Sequence, residues 1–197
     1  MTAITVNFNS IIDITDEQFY QLCLHNPDTK FERNADGEII VMSPTGGETG
    51  KRNTDLIIQI GLWNRQTGLG EVFDSSTGYK LPSGANRSPD VSWVKKERWD
   101  ELTREQRQKF IPLAPDFVLE LMSPIDYLIN TQEKMREYRD NGVLLGWLIN
   151  PEARQVEIYT TRVQCRSGQD VELLKSPNTL SGEDTLPGFV LDLTNIW

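Results

Sequence analysis

One apolar run constrains the fold of this chain more than any other feature. The segment Phe117–Met122 is apolar at every position except Glu120, and Ser123-Pro124 closes it. Because its apolar residues do not alternate with polar ones, both faces of the predicted strand are expected to be buried. The run therefore predicts an interior strand with a carboxylate inside it.

Elements of both kinds are predicted around this run, so we expect an α/β chain with a central mixed β-sheet flanked by helices. In chain order they are a helix between a Thr15 cap and Asn26-Pro27-Asp28, a hairpin of Phe31–Arg33 and Glu38–Met42, a helix from the Pro44–Gly47 loop to about Gln66, strands near Glu71–Phe73, Tyr79–Leu81 and Pro89–Val94, a charged helix over much of Glu101–Phe110, a helix capped by Asp126 and ended by Gly142, and strands at Leu145–Asn150, Val156–Thr160, Val171–Leu174 and Phe189–Leu193.

Length and charge limit the classes of protein that remain. The 197 residues favour a single domain, in which 1–43 form an N-terminal helix and hairpin, 44–160 the core and 161–197 C-terminal strands. The net charge of −9 excludes a strongly basic protein that coats nucleic acid, and also a polybasic membrane binder.

The sequence also predicts a cytoplasmic location. The longest apolar stretches fall short of the roughly 20 residues that a transmembrane helix needs. No positive side chain precedes Lys30, so we expect no secretory leader. Cys23 and Cys165 lack metal-type spacing, which argues against a zinc site or a disulfide framework.

Glu120 is the first candidate for chemistry. An ionised, unpaired carboxylate in a buried strand would cost on the order of several kcal/mol. It should therefore bind a cation, pair with a positive side chain or be protonated. A purely structural ion pair remains an open alternative.

Asp90 is the second candidate, because it opens the predicted strand Pro89–Val94. Pro-Asp occurs three times, but only this copy begins a strand and is followed 30 residues later by an acid within another apolar strand. Two carboxylates on neighbouring strands are suitable ligands for Mg²⁺, with Mn²⁺ as an alternative.

Lys134 is the third candidate, as a cation that would orient the attacking water. The position two residues after Glu120, on the same strand face, holds Met122 instead of a lysine. Lys134 lies on the following predicted helix and shares one face with Thr131 and Tyr138. A solvated lysine on a charged helix is the alternative interpretation.

These motifs together resemble the PD-(D/E)XK restriction-endonuclease-like superfamily, and more narrowly a bacterial, Uma-type endonuclease family often labelled a domain of unknown function. The matching segments are Met42–Glu48, Pro89-Asp90, Glu120–Pro124, Lys134 with Tyr138 and Gly142, Gly146–Pro151 and Leu186–Phe189.

The resemblance implies a nuclease core in which Asp90 and Glu120 bind the metal and Lys134 is a lysine that has migrated from the strand to the helix. It also implies an accessory role for Glu48, although a favourable charge at a helix N-terminus explains that residue equally well. Many members carry His-Gly after this acid, where this chain has Thr49-Gly50.

We therefore expect a Mg²⁺-dependent DNA endonuclease, which would cut both strands most simply as a homodimer. A non-catalytic nucleic-acid-binding or assembly module with the same fold is the alternative. Hydrolysis of RNA or a nucleotide would use the same site.

Overall fold

Helices and strands follow one another in the order of a mixed α/β fold. The computed structural model describes residues 3–161 and 171–197. The helices in these residues are α1 (Asp16–His25), α2 (Gly47–Thr67), α3 (Lys96–Asp100), α4 (Arg104–Gln108) and α5 (Leu128–Asp140). The strands are β1 (Ala3–Val6), β2 (Lys30–Arg33), β3 (Ile39–Met42), β4 (Gly70–Asp74), β5 (Tyr79–Lys80), β6 (Asn86–Arg87), β7 (Val91–Lys95), β8 (Phe117–Leu121), β9 (Leu145–Asn150), β10 (Gln155–Thr160), β11 (Val171–Lys175), β12 (Thr179–Ser181) and β13 (Val190–Asp192).

The central sheet has the strand order β11-β10-β9-β8-β7-β4 among the described residues. Strands β8 and β9 are parallel, with Leu119 opposite Trp147, and the other neighbours are antiparallel. Helix α5 is the crossover between the two parallel strands. The mixed sheet flanked by helices confirms the predicted fold class.

A second sheet, called here the N-terminal sheet, has the order β1-β3-β2-β6-β5 in the described chain. Strands β2 and β3 form the predicted hairpin, and Gly37 takes a φ of 84° in its turn, which favours glycine. Arg33 of β2 pairs with Asn86 of β6, just before the Asp90 segment. This pairing places the N-terminal hairpin beside the segment that leads into β7 of the central sheet.

Alternate residues of β8 pack against different helices, as expected for a strand buried on both faces. Leu119 joins a core cluster with Leu56 and Ile60 of α2. Val118 joins the cluster on the opposite face, with Met135 of α5. Since Glu120 and Val118 share a face, the carboxylate of Glu120 points toward α5.

Two predicted helix features are corrected by the structure. Asp126 does not cap α5: the N-cap is Tyr127, without a side-chain cap, and Asp126 Oδ2 instead accepts a hydrogen bond from the backbone N–H of Ser123 at 2.7 Å. The charged segment forms two short helices, α3 and α4, because Thr103 begins a new helix with a capping box. The Thr15 capping box of α1 is confirmed.

Several short strands were absent from the sequence prediction, namely β1, β6 and β12.

Cys165 lies outside the described residues. None of the described helices combines the length and the apolar character needed to cross a membrane.

Candidate active site

A cavity of about 300 Å³ lies where the N-terminal sheet meets the central sheet and α5. Asp90, Glu120 and Lys134 all line it. Strand β2 contributes Lys30 and Glu32 to the lining of the same cavity. The structure thus brings together three of the four residues that the sequence singles out for chemistry.

Glu120 is held from the α5 side by two donors. Its Oε1 lies 2.8 Å from Lys134 Nζ and accepts a hydrogen bond from the Tyr138 hydroxyl at 3.0 Å. Burial raises the pKa of Glu120 to about 7, and the charge of Asp90 adds to this effect while Lys134 opposes it. The positive charge of Lys134 therefore does not fully offset the effect of burial on the ionised Glu120 carboxyl group.

Asp90 lies immediately before β7 and is only 7% exposed. Its Oδ2 accepts a hydrogen bond from the backbone N–H of Leu121 at 2.9 Å, which fixes it beside the end of β8. Burial raises the pKa of this carboxyl group too. Two buried carboxyl groups with raised pKa values, brought together at neighbouring strands, are typical of functional sites.

Lys134 is shared between two carboxylates. Its Nζ lies 2.9 Å from Glu32 Oε1 as well as 2.8 Å from Glu120 Oε1. Burial acts to lower the pKa of this amine, but the charges of Glu120 and Glu32 outweigh it and raise the pKa. Lys134 is therefore an ammonium ion at neutral pH, not the solvated surface lysine of the alternative interpretation.

Glu48 is placed differently from the other three residues. It lies in the first turn of α2 with an exposed side chain, outside the set of described residues that line the cavity. Its neighbour Thr49 and, one turn later, Asn53 do line the cavity. The Oδ1 atom of Asn53 is buried and has no hydrogen-bond partner in the described part of the chain.

Glu32 and Arg87 also line the candidate site, a position that the sequence did not reveal for either residue. Glu32 is 2% exposed, and Arg87 Nη1 donates to its Oε2 at 3.1 Å. Arg87 Nε also donates to Glu137. The guanidinium of Arg87 is buried and paired with both carboxylates. The only signal for Glu32 was a charge within a short predicted strand.

The donor chemistry of the cavity fits a hard divalent cation. Asp90 and Glu120 supply carboxylate oxygens and Asn53 an unpartnered amide oxygen, which are the ligand types that Mg²⁺ and Mn²⁺ accept. Among the described residues, no group of three or more His, Cys, Asp or Glu side chains is placed to hold a metal ion. Water and substrate oxygens would complete such a coordination shell.

The fold is shared with a solved structure. It is similar to the crystal structure of a protein from Anabaena variabilis, described as "a putative nuclease belonging to DUF820", with a TM-score of 0.69 and 18% sequence identity. The match covers 86% of this chain and 90% of that one. No curated protein matches the chain.

The sequence identifies the family more narrowly. The family model Uma2, "Putative restriction endonuclease", matches residues 16–194. The chain belongs to this Uma2 family of nucleases, which confirms the resemblance inferred from its motifs.

Proposed function

We propose that this protein is a divalent-metal-dependent endonuclease that hydrolyses phosphodiester bonds in DNA. One observation carries the proposal: Asp90, immediately before β7, and Glu120 of the adjacent strand β8 are buried carboxyl groups that line one cavity with the ammonium group of Lys134. Family membership supports a nucleic-acid substrate, and the choice of DNA rests on the resemblance to restriction endonucleases.

In this proposal Asp90 and Glu120 hold Mg²⁺, with Mn²⁺ as a substitute. When bound, the metal stabilises negative charge on the scissile phosphate and lowers the pKa of bound water. Leu121 and Tyr138 fix the orientations of the two carboxylates through their hydrogen bonds. Lys134 presents an ammonium group to the same cavity, where it would orient the attacking water.

Glu48 enters the proposal as an accessory acid at the beginning of α2. Its exposed side chain makes a direct ligand role less favourable than for Asp90. A homodimer also belongs to the proposal, since two symmetry-related sites are the simplest means of cutting both strands.

The test is a cleavage screen with supercoiled DNA, single-stranded DNA and RNA against Mg²⁺, Mn²⁺ and Ca²⁺. Asp90→Asn and Glu120→Gln should lower cleavage by at least about a hundredfold. Glu133→Gln is the matched control, because Glu133 lines the same cavity but is exposed. Full activity of the Asp90 and Glu120 variants in a clean preparation would exclude the proposed site.

A non-catalytic nucleic-acid-binding or assembly module is the second candidate. The ion pair between Lys134 and Glu120 favours it, because this pair already partly compensates the buried carboxylate without a metal. Calorimetry separates the two functions: absence of Mg²⁺ and Mn²⁺ binding at millimolar concentrations would support the module.

A further inference from the structure

Glu32 connects three parts of the molecule that must be aligned for the site to exist. It lies on β2, while its partners lie on α5 and on the segment that precedes Asp90. Its Oε1 lies 2.9 Å from Lys134 Nζ and also accepts a hydrogen bond from the backbone N–H of Ser88 at 2.9 Å. Its Oε2 accepts from Arg87 at 3.1 Å.

The contact with Lys134 limits the freedom of the ammonium group. An ammonium group has three N–H donors. Glu120 and Glu32 accept two of them, which leaves one for a further partner in the cavity. Without Glu32, Glu120 would be the one carboxylate of the described residues left to hold Lys134, and the long side chain could rotate.

The contact with Ser88 acts on the other half of the site. Ser88 is two residues before Asp90, and both are buried. Arg87, which precedes Ser88, is held between Glu32 and Glu137 of α5. The Glu32 carboxylate therefore fixes both the backbone segment that leads to Asp90 and the ammonium group of Lys134.

We propose that Glu32 is a positioning residue for the hydrolytic site, so that the N-terminal sheet completes a site built on the central sheet. The inference rests on the proposed function for its catalytic consequence. Glu32 is only 2% exposed, and its described hydrogen bonds to Lys134 and to Ser88 of the Asp90 segment are the contacts through which it would act.

The first test needs no catalytic activity. Reductive methylation of the full chain, followed by mass spectrometry, reports how readily Lys134 reacts. In Glu32→Gln, Lys134 should be modified at least about tenfold faster, because a charge-assisted hydrogen bond to its amine is weakened. Glu32→Asp keeps the charge but shortens the side chain, and it should give an increase in the same direction if Glu32→Gln folds poorly.

Glu38→Gln is the matched control. Glu38 lines the same cavity, but its carboxylate accepts hydrogen bonds from Asn7 and Asn34 and makes no described contact with Lys134. Its substitution should leave the modification rate of Lys134 unchanged. Unchanged modification of Lys134 in both Glu32 variants would overturn the positioning role.

Kinetics then test the catalytic consequence. For Glu32→Asp, kcat for DNA cleavage should fall at least about tenfold with little change in KM. This pattern is expected because the displaced Lys134 would orient the attacking water and not bind the substrate. An unchanged kcat would overturn the inference. If the unaltered protein cleaves no substrate with any metal, the proposed function fails, and the modification rates alone decide the role of Glu32.

Discussion

The carboxylate of Asp90 accepts a hydrogen bond from the backbone N–H of Leu121, the residue that follows Glu120. This bond joins the start of β7 to the end of β8 and holds the two proposed metal ligands at adjacent strand ends. Among the described residues, this is the only direct hydrogen bond to the Asp90 carboxylate. Burial of the side chain raises its pKa.

Asp90 is therefore expected to reduce the stability of the metal-free protein. Asp90→Asn removes the cost of burying the charge, and an amide oxygen can still accept from Leu121. The free energy of unfolding, measured by urea denaturation in EDTA at pH 7, should rise by about 1 kcal/mol.

Asp116→Asn provides the control for that measurement. Asp116 is equally buried, but it pairs with Arg98 at 2.9 Å and accepts from the backbone N–H of Lys95 at 2.8 Å. Its substitution should lower the free energy of unfolding by about 1–3 kcal/mol. Equal destabilisation by both variants would contradict a functional role for Asp90.

Glu32 should make stability depend on pH in the acid range. Burial opposes its ionisation, but Lys134, Arg87 and Lys30 outweigh burial and lower its pKa from 4.5 to about 2. A carboxyl group with a lowered pKa in the folded state stabilises the protein above its unfolded pKa, and this contribution is lost as the pH falls. The difference in unfolding free energy between the unaltered chain and Glu32→Gln should shrink between pH 4.5 and pH 2.

Asp16→Asn is the comparison for this pH dependence. Lys80 and Arg33 lower the pKa of Asp16, but its side chain is 47% exposed and solvent screens the interaction. Its effect on the same pH profile should be smaller. A pH-independent difference for Glu32→Gln would mean that Glu32 does not gain from its cationic partners.

Tyr127 should contribute to binding of nucleic acid. It lines the cavity beside the site and yet is 74% exposed, which leaves its ring available to a base. Stacking of a base on an aromatic ring contributes about 1–3 kcal/mol. Tyr127→Ala should weaken binding of a single-stranded oligonucleotide by about tenfold or more, as measured by fluorescence anisotropy in Ca²⁺.

Two variants check that the ring is responsible. Tyr127→Phe should bind as well as the unaltered chain, because it keeps the ring. Ile129→Ala removes an exposed apolar side chain of α5 that does not line the cavity, and it should have no effect. Equal loss in Tyr127→Ala and Ile129→Ala would indicate a general effect of the helix surface.

Cys23 should react slowly with alkylating reagents. Burial raises the pKa of its thiol to about 11, so the reactive thiolate is about a hundredfold scarcer than for an ordinary cysteine. In a Cys165→Ser background, the rate of iodoacetamide labelling at pH 8 should be correspondingly low. Unfolding in guanidinium should restore the ordinary rate, and fast labelling of the folded chain would contradict the raised pKa.

The amino-acid sequence reveals the residues whose chemistry conflicts with their local pattern. Glu120 interrupts an apolar run, and Asp90 directly precedes the strand next to it in the sheet. The interrupted run singles out Glu120 from its local pattern. Asp90 stands out among the three Pro-Asp pairs because its predicted strand is followed, 30 residues later, by that acid.

Glu32 could not be recognised in the same way. Its burial results from contacts with Arg87 and Lys134, which are 55 and 102 residues away in the chain. Local periodicity contains no information about such distant partners. The predicted cap of α5 was wrong for a different, local reason: the Asp126 carboxylate accepts from the backbone N–H of Ser123, three residues earlier and outside the helix.

The crossover between β8 and β9 has a consequence for how this site can change. Because Lys134 is carried by α5, its direction depends on the rotation of a helix about its axis, not on the alternation of a strand. Each residue added or removed before Lys134 within α5 would turn it by about 100°. Such a change could separate Lys134 from Glu120 while β8 and β9 keep their register. Because the lysine is on the helix, Met122, directly after β8, serves packing alone.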